Sequence, residues 1–203
     1  MFKRVLAVLV LVGATLTTGA VSAGAAHADT TYRGEGDEVV RVRTTKTPGL
    51  LQFRHDGEAN FIVFTVTPVG KKQELLVNEI GPYSGTVLYN AQGGKGTAAL
   101  EIKADGAWSA VFKPLSKARC WCAGTVRGTG DHVLKLSPTR GLRTVRSSFT
   151  GEGNFIVHSY TRPGSYGDLL FNEIGSYRGK ALLPSGTRLV TVHADGSWVL
   201  TRN

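Results

Sequence analysis

The chain has only two cysteines, one methionine and seven prolines in 203 residues, and beyond residue 28 no stretch of ten or more residues carries helical periodicity. Two cysteines cannot build the multi-bridge framework of a small disulfide-dense domain. No apolar run after residue 28 nears the ~20 residues of a membrane-spanning helix. A Gly-x-Ser-x-Gly nucleophile elbow is also missing, which removes the commonest sequence mark of a secreted acyl hydrolase. The four histidines after residue 28, His55, His132, His158 and His193, do not form a metal-ligand spacing. These absences leave an all-β chain with no catalytic signature, so no enzyme and no cofactor is expected.

Met1-Phe2-Lys3-Arg4, the apolar run Val5–Val12 and Ala26-His27-Ala28 read as a secretory signal peptide over residues 1–28, cleaved before Asp29. The expected location is therefore secreted, extracellular or loosely associated with a cell wall.

An internal duplication dominates what remains. Gly57-Glu58-Ala59-Asn60-Phe61-Ile62-Val63 returns as Gly151-Glu152-Gly153-Asn154-Phe155-Ile156-Val157. Leu75 to Gly85 returns as Leu169 to Gly179, at the same offset of 94 residues. Ala104-Asp105-Gly106-Ala107-Trp108 returns as Ala194-Asp195-Gly196-Ser197-Trp198 at an offset of 90, so the second copy is four residues shorter in between. The expected organisation is one repeat over 29–117, a linker over 118–125 and a second repeat over 126–203.

Period-two alternation, with turn residues between segments, predicts seven strands per copy. They fall near 38–43, 50–55, 60–66, 74–78, 84–89, 98–103 and 107–112, then near 132–136, 142–149, 154–160, 168–172, 179–183, 188–193 and 197–201. Asp105-Gly106 reads as the two-residue turn of a β-hairpin. Seven short strands in about 80 residues predict a seven-stranded antiparallel β-sandwich for each copy, Ig-like or jelly-roll-like. Gly-x-Gly-Asp at each domain start, Asn-Phe-x-Val, Leu-Leu-x-Asn-x-Ile-Gly-x-Tyr-x-Gly and Ala-Asp-Gly-x-Trp resemble a β-sandwich repeat of secreted proteins from Gram-positive, high-GC bacteria. That resemblance implies fold and location and carries no activity.

The duplicated polar residues Asn60, Asn78, Glu79, Asn154, Asn172 and Glu173 could ligate a hard cation, but they lack the spacing of a calcium loop and read as turn formers. Tyr83 and Tyr177 read as corner tyrosines whose hydroxyls bond backbone. Parity places Trp108 and Trp198 in the core, and His55, aligned with Phe149, at its edge. Trp121, in the junction and without a counterpart, is the expected exposed aromatic. Cys120 and Cys122 are expected to be oxidised in an exported protein. Bonding between them requires a turned backbone, because residues i and i+2 of an extended strand are ~6.6–6.8 Å apart; a bond to a second molecule is the alternative.

Charge is uneven. Residues 31–117 hold 11 Lys/Arg against 9 Asp/Glu, and residues 118–203 hold 11 against 5. Arg140, Arg143, Arg146, Arg162, Arg178, Lys180 and Arg188, with Trp121, form the candidate binding set. The expected function is non-enzymatic adhesion to an anionic polysaccharide, wall teichoic acid or another envelope polymer, with nucleic acid not the expected partner. A protein-binding module is the alternative, and a secreted hydrolase ranks last.

Overall fold

Alternating apolar and polar residues, broken by glycine and Asx-rich turns, give the described residues strands as their extensive regular structure. A computed structural model describes residues 29–165 and 167–203; the expected signal peptide lies outside the described residues. The first copy forms β1 (Thr30–Glu35), β2 (Glu38–Thr45), β3 (Gly49–His55), β4 (Asn60–Val66), β5 (Lys72–Ile80), β6 (Tyr83–Tyr89), β7 (Thr97–Lys103) and β8 (Ala107–Lys113). A 3-10 turn at Leu115–Lys117 leads into β9 (Arg119–Cys120), β10 (Thr125–Thr129), β11 (His132–Lys135), β12 (Arg143–Thr150) and β13 (Asn154–Tyr160). The chain finishes with β14 (Asp168–Ile174), β15 (Tyr177–Leu183), β16 (Leu189–Ala194) and β17 (Ser197–Arg202).

Sheet order in the first copy is β1-β8-β3-β6 over β2-β7-β4-β5. The second repeats it as β10-β17-β12-β15 over β14-β13-β16-β11, with β9 added parallel to β11 at the edge. This is the jelly-roll order of an eight-stranded sandwich. Each copy thus has eight strands where the sequence predicts seven. The additional ones, β1 and β10, end on the first two residues of the Gly-x-Gly-Asp segments that read as domain starts.

Asp105-Gly106 does not close a hairpin. It carries the chain from β7 in one sheet to β8 in the other, so Leu100 and Ile102 face Trp108 and Ala110 across the core. Asp105 Oδ2 accepts the amides of Glu58 and Ala59 at 2.9 and 2.8 Å, and Asp195 does the same for Glu152 and Gly153. A Cβ on Gly106 would meet the Gly57 backbone at 2.6 Å. Close backbone approach therefore explains the glycine.

The Gly-x-Gly-Asp motif has a similar role. Trp108 Nε1 donates to Gly36 O at 3.0 Å and Trp198 Nε1 to Gly130 O at 2.9 Å. The indoles lie over Gly34 and Gly128, where any Cβ would collide with the ring. Asp37 and Asp131 accept the amides of Ala104 and Ala194 at 3.0 and 2.9 Å. Both tryptophans are buried, as parity requires, and the two cores form around Phe53, Phe61, Leu100 and Trp108 and around Phe149, Phe155, Val190 and Trp198. His55 stacks on Phe61 at 4.5 Å as Phe149 stacks on Phe155 at 4.7 Å. The histidine therefore occupies a core aromatic position.

The Leu-Leu pairs sit at a matching bulge in each copy. The β4–β5 register shifts after Val63 and the β13–β14 register after Val157, so Leu76 and Leu170 pack on the cores while Leu75 and Leu169 stay exposed. An extra residue on one strand has this effect. Asn78 and Asn172 are exposed mid-strand residues and Asn60 and Asn154 begin β4 and β13, so they are not turn formers.

The copies are joined through unlike surfaces. Leu50 and Leu88, on the outer face of β3 and β6, pack with Ala118 against Val133, Tyr160 and Leu189 on the outer face of the second sandwich. Leu88 is 8% exposed and Val133 2%, whereas their counterparts Leu182 and Val39 are both 62% exposed. Burying Leu88 and Val133 alone contributes about 3–6 kcal/mol, so the joint is a packed contact.

Candidate functional site

The sheet β10-β17-β12-β15 contains no Asp or Glu in any of its four strands and carries Arg127, Arg143, Arg146, Arg178, Lys180 and Arg202. Register decides which of these share a face. Arg127 pairs with Val199, Val199 with Ser148 and Ser148 with Arg178. In the next outward row, Thr125 pairs with Thr201, Thr201 with Arg146 and Arg146 with Lys180. Arg127, Arg146, Arg178 and Lys180 therefore stand on one flat outer face among hydroxyl groups, and all four are exposed. None makes an ion pair among the described residues.

Arg140, Arg143 and Arg146, close in sequence, do not share one face. Arg143 pairs with the buried Leu183 and so has the opposite parity to Arg146, at the exposed start of β12. Arg140 belongs to the preceding loop, which is bonded to the loop before β16 through Thr139 N–H to Thr187 O at 3.3 Å and Gly186 N–H to Thr139 O at 2.8 Å. Arg188 follows that loop, its amide bonded to Tyr160 O, and Arg162 lies just beyond Tyr160. These four arginines thus group around one end of the sandwich, apart from the flat face. Arg127 escapes the sequence reading because β10 does; matching Thr125-Val126-Arg127-Gly128 to Thr31-Tyr32-Arg33-Gly34 would reveal it.

Trp121 is not exposed. It is 1% exposed and belongs to the second core. Its amide donates to Lys135 O at 2.8 Å, its indole N–H donates to Gly124 O at 3.3 Å, and Arg202 covers the ring while donating to Trp121 O at 2.8 Å. Cys120 and Cys122 are bonded to each other with Cα atoms 5.2 Å apart, well short of an extended i, i+2 spacing. That turn directs Trp121 inward, and residues 118–125 are a fitted part of the second sandwich. The matching end of the first sandwich has Tyr32, Tyr89 and Phe112 around an opening of 510 Å³.

A polar cluster lies where the copies meet. Tyr83 O–H donates to Asp131 Oδ2 at 2.7 Å, so its hydroxyl bonds a carboxylate of the other copy where the sequence predicts local backbone. His193 Nδ1 lies 2.9 Å from Asp131 Oδ1, and its Nε2 lies 3.5 Å from Glu79 Oε1. The Asp131 hydrogen bond, helped by the charges of Asp131, Glu79 and Asp195, raises the His193 pKa against the opposing effect of burial. Burial also raises the Glu79 carboxyl and the Tyr83 phenol. The cluster has no hydroxyl or thiol nucleophile bonded to the histidine, which an acyl-transfer triad requires.

A raised histidine pKa gives a definite sign. The stabilisation is complete below the unfolded value of ~6.5 and is lost as pH rises through the folded value. Unfolding followed from pH 6 to pH 9 should therefore show a falling midpoint, and His193→Gln should flatten that fall. An unchanged profile in the variant would assign the dependence elsewhere.

No family model matches the chain, and no curated protein does. Among solved structures the chain is similar to the regulatory domain of Toxoplasma gondii PKA in complex with cAMP, at 9% identity over 86% of this chain and 77% of that one, with a TM-score of 0.24.

Proposed function

We propose that the chain is a secreted, non-enzymatic binding protein that adheres to an anionic envelope or extracellular polymer, such as an acidic polysaccharide or teichoic acid, through the second sandwich. The supporting observation is the acid-free sheet, which presents Arg127, Arg146, Arg178 and Lys180 among Thr125, Ser148 and Thr201. A flat cationic surface suits an extended polymer with repeated negative charge better than a small ligand, which needs a concave pocket. The hydroxyl groups add neutral donors between the charges. In the first copy Arg146, Arg178 and Lys180 are replaced by Gln52, Ser84 and Thr86, so that scaffold already tolerates the neutral residues.

Those counterparts supply the test. Arg146→Gln, Arg178→Ser and Lys180→Thr together should leave folding intact, because exposed charges contribute little to stability. Retention of residues 29–203 on immobilised polyglycerol phosphate should fall, and the slope of log affinity against log salt should decrease by about two to three, roughly one per lost phosphate contact. Equal elution of the variant and the parent would reject the face. Retention lost only on substituting Arg140, Arg162 and Arg188 would move the site to the loop end.

A further inference from the structure

We infer that the chain self-associates head to tail, the outer surface of its second sandwich docking on the first sandwich of another copy in the arrangement that joins the two sandwiches within one chain. The internal joint uses β5 and β6 of the first copy and the β11-β16-β13 face of the second. Duplication supplies both halves again, unpaired, at the two ends of the molecule.

Several contacts of the joint have a like counterpart, although Leu50, Tyr160 and Leu189 correspond to the smaller or more polar Thr144, Val66 and Ala99. Leu88 packs with Val133; Leu182 and Val39 are the same residues, exposed. Tyr83 donates to Asp131; Tyr177 and Asp37 stand at the matching positions, and Asp37 is exposed. Glu79 lies beside His193; Glu173 faces the equivalent position held by Lys103, which is a permanent cation. The Thr86 amide on edge strand β6 donates to Asp131 O at 3.0 Å; Lys180, on edge strand β15, could donate to Asp37 O in the same way.

The differences between the copies also favour the contact. Residues 84–86 pack directly on 130–131, with Ser84 O 3.6 Å from the position of a Cβ on Gly130 and Asp131 Cβ 2.9 Å from that of a Cβ on Gly85. Inside the chain the positions flanking this seam, Ser84, Thr86, Thr129 and His132, include no carboxylate, lysine or arginine. At the free ends Ser84 and Thr86 have become Arg178 and Lys180, while Thr129 and His132 have become Glu35 and Glu38, all exposed. Charges of opposite sign have thus appeared on the two surfaces that would meet. Complementary charge of this kind sets orientation and encounter rate. Since the two surfaces differ, every contact joins unlike ends, and the assembly is an open row or a closed ring of two or more chains.

Sedimentation velocity on residues 29–203 at low salt should show a mean mass that rises with concentration and falls with added salt. Arg178→Glu with Lys180→Glu should weaken association by at least about tenfold, and so should Glu35→Lys with Glu38→Lys. Mixing the two variants should restore assembly, because each broken end then meets its complement. The Glu35/Glu38 variant keeps the basic face of the second sandwich, so its retention on polyglycerol phosphate should not fall; the self-association and polymer-binding readings therefore fail separately. A single-chain mass at every concentration up to roughly 1 mM, or a mixture that remains as dissociated as its components, would overturn the inference.

Discussion

Replacing Trp121 by alanine is expected to destabilise the second sandwich by about 3–5 kcal/mol, the range for removing a large buried aromatic. The indole fills the end of the core beside Val126, Leu183 and Leu200, and its N–H is satisfied by Gly124 O. Without the ring, Arg202 loses the surface it covers and a cavity opens beneath it. Trp121→Phe should cost less, because most of the volume remains and only the indole hydrogen bond is lost. Denaturant unfolding of the two variants against the parent provides the measurement. A loss below about 1 kcal/mol for Trp121→Ala, the level of an ordinary surface change, would mean that the side chain is not part of the core.

The second large effect should come from a single methyl group at Gly128 or Gly34. Gly128 pairs with Trp198 and Gly34 with Trp108, and each indole occupies the space that a Cβ would need. Gly128→Ala must push the edge strand β10 outward or tilt the ring, which also stretches the indole hydrogen bond to Gly130. Overpacking together with that weakened bond should cost about 2–4 kcal/mol. The cause is separable: in a Trp198→Leu background the methyl group has room, so the two substitutions should be strongly non-additive. Additive losses would refute the steric account and leave the altered backbone preference of glycine as the cause.

These two sites show what the sequence makes visible. Val40, Val42, Leu100, Ile102, Trp108 and their counterparts announce strands and inward faces through period two, and the duplication tells which turns recur. The predicted sandwich follows from those residues. Alternation alone does not tell whether Asp105-Gly106 joins neighbours in one sheet or arches between two, because both place Trp108 inward. Strands β1 and β10 are hidden by the glycines that admit the tryptophans. Trp121 is misleading because its burial depends on Lys135 O and Arg202, far along the chain, and on a turn closed by the cysteines.

The candidate site divides in the same way. The excess of Arg and Lys after residue 118 is plain in the sequence, but its separation into a flat face and a loop end depends on parity at Arg143 and on the loop contacts of Thr139. The Tyr83, Asp131 and His193 cluster is invisible beforehand, since its members belong to different copies. Asp131 resembles Asp37 in sequence, yet only Asp131 is covered by a neighbour.

The two ends of the molecule also differ in how they are closed. Tyr32, Tyr89 and Phe112 of the first sandwich correspond to Val126, Leu183 and Arg202 of the second, the residues that surround Trp121. One barrel end is thus walled with bulk, and the other is lined with slimmer side chains and sealed by a plug that arrives on the preceding segment. The repeats are consequently not interchangeable parts. A chimera placing the Cys-Trp-Cys segment before the first repeat would bring an indole to a mouth walled by three rings instead of the side chains that seat it, and one lacking that segment before the second would leave its core open.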